Sequence, residues 1–503
     1  MSMLAIDIGS SRCKGVAFSH SGEILAQSER SYAAQFPQPS HAELDPETFW
    51  HAFCNLCRDV SSRLRESPLE VLCLSSHGET FIPVDRSGQA LGPAILNIDG
   101  RAFAESEWCA AALGPERLFE ITGLVAHPMY PLAKLLWLRK YRPEIFLPAR
   151  FVAVTTYLLL RLKLPPYVDY SLASRFLAFD VSRACWSAEI LSAADVKVDQ
   201  LPIPVPAGTT AGKLESSVAT ALGLQSGVTV VLGGHDQACA ALGVGAVESG
   251  RVSDSIGTYE CVAVTSREPF RGKAAFFAHL NSYCHVVPGL YLNIAYFPSG
   301  IMMQWFRGML LGAEGTNDSA SGDSLEGASF SWLESHAPKS PTGLCVTPHL
   351  IGTCHPDFNP HARAIIWGLD PTSDRAQIYK GILEGIACEL AEVTECVEKI
   401  TGKFSEVYST GGGTRSLLGM NLRATLTGKK FHLFQCPEAV CLGGAILAGV
   451  AVGWYSSMND AVYSMVHERE VIEPPPCGDA QYREQRARYQ SLCQFVRSSS
   501  LHF

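Results

Sequence analysis

The sequence predicts an α/β fold built from two or more domains. Its 503 residues exceed the size at which one hydrophobic core stops growing, and 47% apolar against 18% charged residues allows large buried cores. Strand-like and helix-like segments alternate along the chain, and residues 251–266 repeat the strand–turn–strand pattern of residues 4–19. This repetition predicts a duplicated fold.

The first segment is predicted to be a β-meander followed by a helix and a further strand. Its β-rich runs, at 4–9, 14–19 and 21–29, are separated by short turns that contain glycine. A helix is expected over 45–65, with Asp45 as its N-cap and Pro46 at the first helical position, before a strand over 69–77.

Later segments continue the alternation. The Pro/Gly-rich run 201–214 is expected to be an irregular surface connection near a domain boundary, and 312–328 an exposed polar loop. Residues 228–245 predict a buried strand, a Gly-Gly turn and an apolar helix. The remaining predictions are helices near 130–140, 152–163, 374–400 and 437–455, and a strand–turn–helix unit over 406–428.

Charge and cysteine content exclude several classes of protein. Lys plus Arg total 40 against 49 for Asp plus Glu, a net charge of −9, which argues against a nucleic-acid-coating protein. The N-terminus lacks a signal-peptide pattern, and no run of 18 apolar residues predicts a membrane span. The 17 cysteines favour reduced thiols and a cytoplasmic location. Cys54 and Cys57 form a CxxC within a predicted helix, where core packing is favoured over a metal or redox role.

Three glycine-containing turns, at 9–14, 255–258 and 411–414, each follow a β run. Backbone N–H groups can surround a phosphate only where no Cβ intrudes, so three such turns in one chain indicate a nucleotide site. Each turn alone could also be an ordinary hairpin or the start of a helix. Neither a Walker motif nor a convincing GxGxxG is present.

Two aspartates are candidates for chemistry. Asp236 follows a predicted buried strand and precedes a helix, where a carboxylate can take a hydroxyl proton or simply cap the helix. Asp7 lies in an apolar β run, where Mg²⁺ would account for it, as would hydrogen bonds that close the turn. Ser10, Ser11 and Lys14, which follow Asp7, favour the metal interpretation.

Taken together, these segments resemble the FGGY carbohydrate kinase family of the actin-like ATPase superfamily. The resemblance extends over nearly the whole chain, with its most diagnostic segments at GGHDQACAALGVG (233–245) and SIGTYE (255–260). The other matching segments are DIGSSRCKGVAF (7–18), SHAELDPETFW (40–50), PAILNIDGRA (93–102), SGIMMQWFRG (299–308), PHLIGTCHPDFNPHARAIIWGL (348–369), STGGGTRS (409–416) and PEAVCLGGAILAGVAVG (437–453).

The resemblance implies two ribonuclease-H-like domains flanking a cleft. Residues 1–245 would form the N-terminal domain, which binds the sugar and carries the catalytic base Asp236, and residues 246–503 the C-terminal, ATP-binding domain. Asp7 would be the magnesium-associated carboxylate. The implied substrate-binding residues are His77, Glu79, Asp99, Arg101, Asp236 and Gln237. The implied ATP-binding residues are Ser10, Ser11, Lys14, Gly257, Thr258, Gln304, Gly412, Gly413 and Asn421.

Departures from the family pattern bear on the substrate. Residues 77–80 are His-Gly-Glu-Thr, at the place where xylulose kinases carry a Gln-Met-His-Gly pattern. The segment is more similar to the Gln-Arg-Glu-Thr pattern of glycerol kinases but lacks its arginine. Asp99 and Arg101 match the Asp-Gly-Arg of xylulose kinases. Gly419 and Thr425 replace a common Trp and Asp on the adenosine side, and His235 is a further candidate for the pocket.

These residues predict an ATP- and Mg²⁺-dependent kinase that phosphorylates a hydroxyl of a small ketose or polyol. A xylulose-like ketose is favoured by Asp99 and Arg101, and glycerol or a tetritol is the alternative indicated by Glu79 and Thr80. The rivals are a sugar-responsive regulatory ATP-binding protein and a hydrolase of the same superfamily. No nucleic-acid or membrane partner is expected, and the resemblance implies a homodimer or homotetramer without deciding between them.

Overall fold

The computed structural model describes residues 2–64, 68–311, 329–476 and 480–498, so the loop predicted at 312–328 lies outside the described residues. Strands and helices alternate along the chain, as the composition of the segments predicts. The strands are β1 (Ser2–Ile8), β2 (Arg12–Phe18), β3 (Ile24–Ser31), β4 (Glu43–Leu44), β5 (Leu69–Ser76), β6 (Phe81–Val84), β7 (Ala94–Ile95), β8 (Arg150–Ala153), β9 (Tyr167–Asp169), β10 (Phe179–Asp180), β11 (Cys185–Trp186), β12 (Ile203–Val205), β13 (Thr210–Lys213), β14 (Thr229–His235), β15 (Val252–Ile256), β16 (Tyr259–Ser266), β17 (Asn281–Cys284), β18 (Tyr291–Pro298), β19 (Cys345–Thr347), β20 (Ile365–Trp367), β21 (Glu406–Thr410), β22 (Lys430–Phe434) and β23 (Glu468–Ile472). The helices are α1 (Pro46–Arg63), α2 (Phe103–Leu113), α3 (Pro115–Thr122), α4 (Pro131–Tyr141), α5 (Pro143–Phe146), α6 (Val154–Arg161), α7 (Tyr170–Ser174), α8 (Ala188–Ala194), α9 (Ser216–Ala221), α10 (Asp236–Gly243), α11 (Lys273–Phe277), α12 (Gly300–Leu311), α13 (Phe330–His336), α14 (Arg375–Thr401), α15 (Leu417–Thr427), α16 (Ala439–Ala451), α17 (Met458–Met465) and α18 (Ala480–Ser498).

The chain forms two compact units that interleave in sequence. Unit 1 comprises Met1–Arg251, Val264–Asn293 and Glu438–His467, and unit 2 comprises Val252–Ala263, Ile294–Pro437 and Glu468–Phe503. The predicted division into residues 1–245 and 246–503 places one change of domain near Arg251. This division assigns Val264–Asn293 and Glu438–His467 to the C-terminal domain, whereas in the structure both segments belong to unit 1.

Unit 1 is built on a six-stranded sheet in the order β13-β14-β5-β1-β2-β3. β5 pairs in parallel with both β1 and β14, whereas β2 pairs antiparallel with β1 and β3. Alternate residues of β1 point to opposite faces: Leu4 and Ile6 join the core formed with α1, while Ala5 lies against α16. The sheet is therefore covered by helices on both faces.

Unit 2 contains a second sheet that mixes parallel and antiparallel strand pairs. β21 pairs in parallel with β15 and with β22, and β23 pairs antiparallel with β22. The 27-residue helix α14 packs against α15, and its N-cap Asp374 accepts a hydrogen bond from Gln377 N. The predicted duplication is confirmed at the level of architecture, because β1–β2 and β15–β16 are both strand–turn–strand units.

Most predicted elements are confirmed to within a few residues. Asp45 caps α1 by accepting a hydrogen bond from Glu47 N, and Pro46 is the first helical residue. Cys54 and Cys57 lie on α1 and belong to the hydrophobic core of unit 1, which confirms their packing role. In the described part of the chain no disulfide joins two cysteines.

Two local predictions are wrong. The run 201–214 contains β12, which pairs with β9, and β13, which pairs with β14 at the edge of the main sheet, a position that tolerates proline nearby. No Gly-Gly turn precedes Asp236, because β14 continues through Gly234 to His235. A Cβ at Gly234 would lie 2.4 Å from Val286 Cγ1, so this glycine permits close packing rather than a turn.

No helix in residues 2–64, 68–311, 329–476 or 480–498 is long and apolar enough to cross a lipid bilayer.

Candidate active site

The candidate site of unit 1 lies where three parallel strands end at the same edge of the sheet. Asp7 of β1 pairs with Ser75 of β5, and Ser76 pairs with His235 at the end of β14. Because parallel strands share the direction of their carboxyl ends, this register brings Asp7 and the segments that follow β5 and β14 to one edge.

Asp236 is the first residue of α10 and follows β14 directly. Its Oδ1 accepts a hydrogen bond from Gln237 N at 2.6 Å and lies 3.2 Å from His235 Nε2. His235, not Asp236, is the capping residue, so the side-chain N-cap alternative for Asp236 is wrong. Burial, together with the charges of Asp7 and Glu79, raises the pKa of Asp236 to about 8, although 26% of its side chain is exposed. Such a carboxyl group can hold or release a proton near neutral pH.

The backbone that carries Asp236 is held by a buried polar pair. The amide of His235 donates to Ser171 Oγ at 2.8 Å, and Ser171 donates through both its amide and its hydroxyl to Asp169. Burial raises the pKa of Asp169 to about 7. These hydrogen bonds attach the C-terminal end of β14 to the first residues of α7.

Asp7 carries a buried carboxylate oxygen, Oδ1, with no hydrogen-bond partner. Burial, and then the charge of Glu438, raises the pKa of Asp7 to about 7. Lys14 lies in β2 rather than in the preceding turn, and its Nζ is 2.8 Å from Glu438 Oε1. An unsatisfied oxygen of this kind is a position where a cation or a bound water would be stabilised.

Glu79 and Arg175 form a buried ion pair in which Arg175 Nε donates to Glu79 Oε1. Burial alone would raise the pKa of Glu79, but the charge and the hydrogen bond of Arg175 lower it below its usual value. Residues 77–80 lack the arginine of the glycerol-kinase-like pattern, and the arginine that contacts Glu79 lies at the C-terminal end of α7.

His77 has both ring nitrogens committed within the protein. Nδ1 donates to the carbonyl of Ile8 at 2.8 Å, so Nε2 accepts from Thr80 Oγ1 at 2.7 Å. Burial lowers the pKa of His77, which keeps the ring neutral. Nearby, Lys134 donates from Nζ to the carbonyl of Leu96 at 2.6 Å. These contacts give His77 a positioning role for the turn that presents Glu79.

Asp99 and Arg101 are also committed to each other. Arg101 Nε lies 2.9 Å from Asp99 Oδ1, Arg101 Nη2 donates to Glu43 Oε1 at 2.6 Å, and the guanidinium lies 5.0 Å from the Trp137 ring centre. Asp99 Oδ2 accepts from Ala42 N at 2.6 Å. The pair therefore ties the 93–102 segment to the start of β4, and its contact with substrate stays a prediction.

In unit 2 the second predicted phosphate turn lies between β15 and β16. Gly257 O accepts from Gly300 N at 3.1 Å, and Thr258 O accepts from Ile301 N at 3.2 Å, so the first turn of α12 is bonded to this loop. A Cβ at Gly300 would lie 2.2 Å from Gly257 O. Gln304 follows on the same helix, with an exposed side chain.

The third predicted turn packs on the end of β15. Gly412 and Gly413 form a short 3-10 turn after β21, and a Cβ at Gly413 would lie 2.2 Å from Ile256 Cγ2. Asn421 is exposed on α15, where its Nδ2 donates to Leu417 O at 2.7 Å. The structure therefore brings Gly412 and Gly413 close to the strand that leads to Gly257.

A second buried ion pair supports this region of unit 2. Arg423 donates to Glu260 from Nε at 2.8 Å, and Glu260 Oε2 also accepts from Ser299 Oγ at 2.8 Å. Asp254 has a buried Oδ1 without a hydrogen-bond partner, and burial raises its pKa well above the usual value. Arg423 occupies the space beside Gly419, since a Cβ there would lie 3.2 Å from Arg423 Nη1.

Sequence reasoning missed several residues of both regions. Their partners are far away in the chain: Arg175 is 96 residues from Glu79, and Arg423 is 163 residues from Glu260. Asp169 and Ser171 carried only a weak local signal, because they are polar residues shortly after Pro165 and Pro166. Nothing local identified Tyr283 or Glu438.

Comparison with known proteins agrees with this architecture. Residues 2–243 match the model of the FGGY family of carbohydrate kinases, N-terminal domain, and residues 252–452 match the C-terminal domain of the same family. The chain belongs to the FGGY family of carbohydrate kinases. It is an ATP-dependent carbohydrate kinase, a phosphotransferase with an alcohol group as acceptor, and it has the two-domain actin-like ATPase fold.

Curated relatives extend over most of the chain. A gluconokinase from Bacillus subtilis (strain 168) is 27% identical and covers 92% of this chain and 90% of that protein. A xylulose kinase from Escherichia coli (strain K12) is 28% identical and covers 98% of both. Both relatives therefore match over the N-terminal and the C-terminal half of the chain.

Solved structures share the fold. A ligand-bound xylulose kinase from Lactobacillus acidophilus superposes with a TM-score of 0.87 at 21% identity, covering 99% of each chain. A glycerol kinase from Plasmodium falciparum with ADP superposes with a TM-score of 0.85 at 20% identity, also covering 99% of each chain. The predicted fold class is confirmed.

Proposed function

We propose that this kinase transfers the γ-phosphate of ATP to a hydroxyl of a small ketose or polyol, with a xylulose-like ketose favoured. The observation that carries the proposal is the placement of Asp236, with its raised pKa, on the same strand edge as the unsatisfied Oδ1 of Asp7. One carboxylate is suited to a proton and the other to a cation.

In the proposed step, an acceptor hydroxyl oxygen forms the new bond to the γ-phosphorus, and the bond from that phosphorus to the β–γ bridging oxygen breaks. The hydroxyl proton passes to the carboxylate of Asp236, and ADP leaves with the electron pair of the broken bond. Asp236 is the proposed general base, and the contacts of its Oδ1 with Gln237 N and with the side chain of His235 orient the carboxylate.

Asp7 fits a magnesium ion through its chemistry. Its buried Oδ1 has no partner, and Mg²⁺ is commonly held by one or two carboxylates together with waters and substrate phosphates. Among the described residues no cluster of three or more His, Cys, Asp or Glu could hold a metal by itself. Bound there with ATP, the ion would neutralise charge on the phosphates.

The nucleotide is assigned to the glycine turns. Ser10 and Ser11 follow β1, and Gly257 and Thr258 follow β15. These turns are proposed to bind phosphate oxygens through backbone N–H groups other than that of Gly257, which donates to Tyr259 O at 2.9 Å. Gly412, Gly413, Gln304 and Asn421 are proposed for the adenosine side, and Lys14 for the phosphates. In this division, residues 1–245 supply the acceptor site and base, and residues 246–503 most of the ATP site.

The names of similar proteins and the motif of residues 77–80 bear on the choice of acceptor. The names of the relatives include xylulose kinases and gluconokinases, and a glycerol kinase is among the structural neighbours. Glu79 and Thr80 follow the glycerol-kinase-like pattern, so glycerol or a tetritol is the second candidate. Cytoplasmic location and a homo-oligomeric state remain predictions.

The test is ADP release from Mg-ATP across a panel of ketoses, aldoses, sugar acids and polyols, with Asp236→Asn measured beside the wild type. We expect release to depend on one acceptor class, and Asp236→Asn to lower kcat by about 10²–10⁴-fold with ATP affinity and circular dichroism unchanged. Asp195→Asn is the matched control, because Asp195 is 86% exposed and should leave kcat unaltered.

Acceptor-independent ADP release would instead indicate a hydrolase. Absence of release with every acceptor, while ATP still binds, would support the regulatory alternative. Near-normal turnover of Asp236→Asn would remove Asp236 from the role of base.

A further inference from the structure

Arg175 is a buried guanidinium held between two aromatic rings. Its side chain is 7% exposed, and its Cζ lies 5.3 Å from the centre of the Tyr130 ring and 4.9 Å from that of Tyr283. Contact with ring faces stabilises a guanidinium and fixes its plane. The orientation of its N–H donors is therefore determined by packing within unit 1.

One donor of this guanidinium has no partner. Nε donates to Glu79, but Nη1 is buried and lacks a hydrogen-bond acceptor. A buried donor without a partner is costly, and native structures rarely retain one without a ligand or water to satisfy it. An oxygen atom supplied by a bound molecule would satisfy Nη1.

The unsatisfied donor is connected to the proposed base by direct contacts. Tyr283, which packs on Arg175, forms a hydrogen bond of 3.1 Å with His235 Nδ1, and His235 Nε2 lies 3.2 Å from Asp236 Oδ1. Gly78 makes this arrangement possible, since a Cβ there would lie 3.0 Å from Arg175 Cγ and 2.9 Å from His235 Cδ2.

The charges around Arg175 are already balanced. Glu79 compensates its positive charge, and burial keeps His77 and His235 neutral, with the pKa of His235 lowered to about 3. Lys134, whose pKa burial lowers to about 7, donates to backbone carbonyls, and Asp236 is a further acid. A carboxylate brought here would lie near Glu79, whereas a hydroxyl can accept from Arg175 and donate to Glu79.

We propose that Arg175 Nη1 and Glu79 together bind hydroxyl or carbonyl oxygens of the acceptor and select uncharged ketoses and polyols against aldonates. This inference rests on the proposed function and names the residues that set its substrate class. It predicts a neutral acceptor even though gluconokinases are among the relatives.

The first experiment compares kcat/KM of the wild-type enzyme for xylulose, ribulose, pentitols, glycerol and gluconate with Mg-ATP. We expect the best uncharged acceptor to exceed gluconate by at least about 100-fold. A wild type that phosphorylates gluconate best would overturn this inference and leave the kinase assignment standing. A wild type that phosphorylates none of these acceptors would overturn the proposed function itself.

The second experiment tests the contact with Arg175→Lys, which keeps the charge but removes the planar fork of donors. We expect KM for the acceptor to rise about 10- to 100-fold while KM for ATP stays within about twofold. Arg117→Lys is the matched control, because Arg117 is 52% exposed in a surface ion pair. An acceptor KM within twofold of the wild type would overturn the contact.

A cycle that combines the Arg175→Lys variant with altered acceptors distinguishes a direct contact of Arg175 with the acceptor from a purely structural role. Monodeoxy analogues of the best acceptor are assayed with wild type and Arg175→Lys. If Arg175 binds a hydroxyl, the loss caused by the variant shrinks for the analogue that lacks that hydroxyl. Equal losses for every analogue would show that Arg175 acts on structure alone.

If Arg175→Lys does not fold, the double variant Arg175→Gln/Glu79→Gln replaces the buried charges with amides that can bond each other. We expect this protein to fold and bind ATP but to lose acceptor affinity by the same 10- to 100-fold. Retained acceptor affinity in the folded double variant would overturn the proposal.

Discussion

The two strand–turn–strand segments, β1–β2 of unit 1 and β15–β16 of unit 2, share a backbone design and differ in their charged neighbours. Each first strand carries an aspartate whose buried Oδ1 has no hydrogen-bond partner, Asp7 in β1 and Asp254 in β15. Near Asp7, Lys14 is paired with Glu438 and 23% exposed. Near Asp254, Glu260 is neutralised by Arg423, which is 3% exposed.

This difference shows that one local pattern can serve two purposes. In unit 1 the ion pair of Lys14 and Glu438 beside Asp7 is partly exposed to solvent. In unit 2 a closed ion pair holds the loop that precedes α12, because Glu260 also accepts from Ser299. We expect unit 2's ion pair to be structural and unit 1's charges to be functional, and variants at each can separate the two roles.

The largest expected effect is on stability in unit 2. Arg423→Met leaves Glu260 buried without its counter-charge, which should cost about 3–5 kcal/mol in the free energy of unfolding. Urea denaturation followed by fluorescence and circular dichroism measures it. The double variant Arg423→Met/Glu260→Met should regain most of the loss, and an unchanged denaturation midpoint in the single variant would show that the pair is not a structural lock.

The next effect concerns the pH dependence that charges of unit 1 impose on Asp236. A base must be ionised, so kcat/KM for the acceptor should rise with pH. The midpoint of this rising limb should lie at higher pH than the pKa of an ordinary aspartate. Burial is the largest cause, but Glu79 contributes, so Glu79→Gln should move the limb to lower pH.

Asp254→Asn is the control for that profile, since the charges that shift the pKa of Asp236 all belong to unit 1. Its limb should coincide with that of the wild type whatever its absolute rate. If the rising limb of the pH profile moves in Asp254→Asn but not in Glu79→Gln, the charges that act on Asp236 do not belong to unit 1 and the proposed difference between the units is wrong.

The smallest effect tests the turn of unit 2. A Cβ at Gly257 would meet Tyr259 O at 3.5 Å, an ordinary contact, so Gly257→Ala should fold normally. If the turn approaches a phosphate closely, KM for ATP should still rise several-fold, because the added methyl group occupies the ligand's space. Gly308→Ala, with open space around it on α12, is the control, and equal ATP affinities in both variants would exclude the close approach.

Much of the fold could be predicted because its signals are short-range. Asp45 and Pro46 fixed the start of α1, and glycine after a β run located the three turns. The same short-range logic failed at Gly233 and Gly234, because a glycine required for packing against a distant side chain has the same sequence appearance as a turn glycine.

The candidate carboxylates Asp7, Glu79 and Asp236 were named from motifs, but their neighbours Glu438 and Arg175 were not. The charge of Glu438 raises the pKa of Asp7, and the charge of Arg175 lowers that of Glu79. Asp99 and Arg101 were named as substrate contacts, and the structure commits them to each other and to Glu43.

The sequence by itself determined many strands, helices and glycine turns, because periodicity, capping and turn chemistry act between residues close in the chain. Its motifs carried the resemblance to the family. Only the tertiary structure decided which charges are paired. The partners of Glu79 and Glu260 lie 96 and 163 residues away, and desolvation depends on every element packed around a group. The specificity proposed for Arg175 therefore follows from packing that no local pattern encodes.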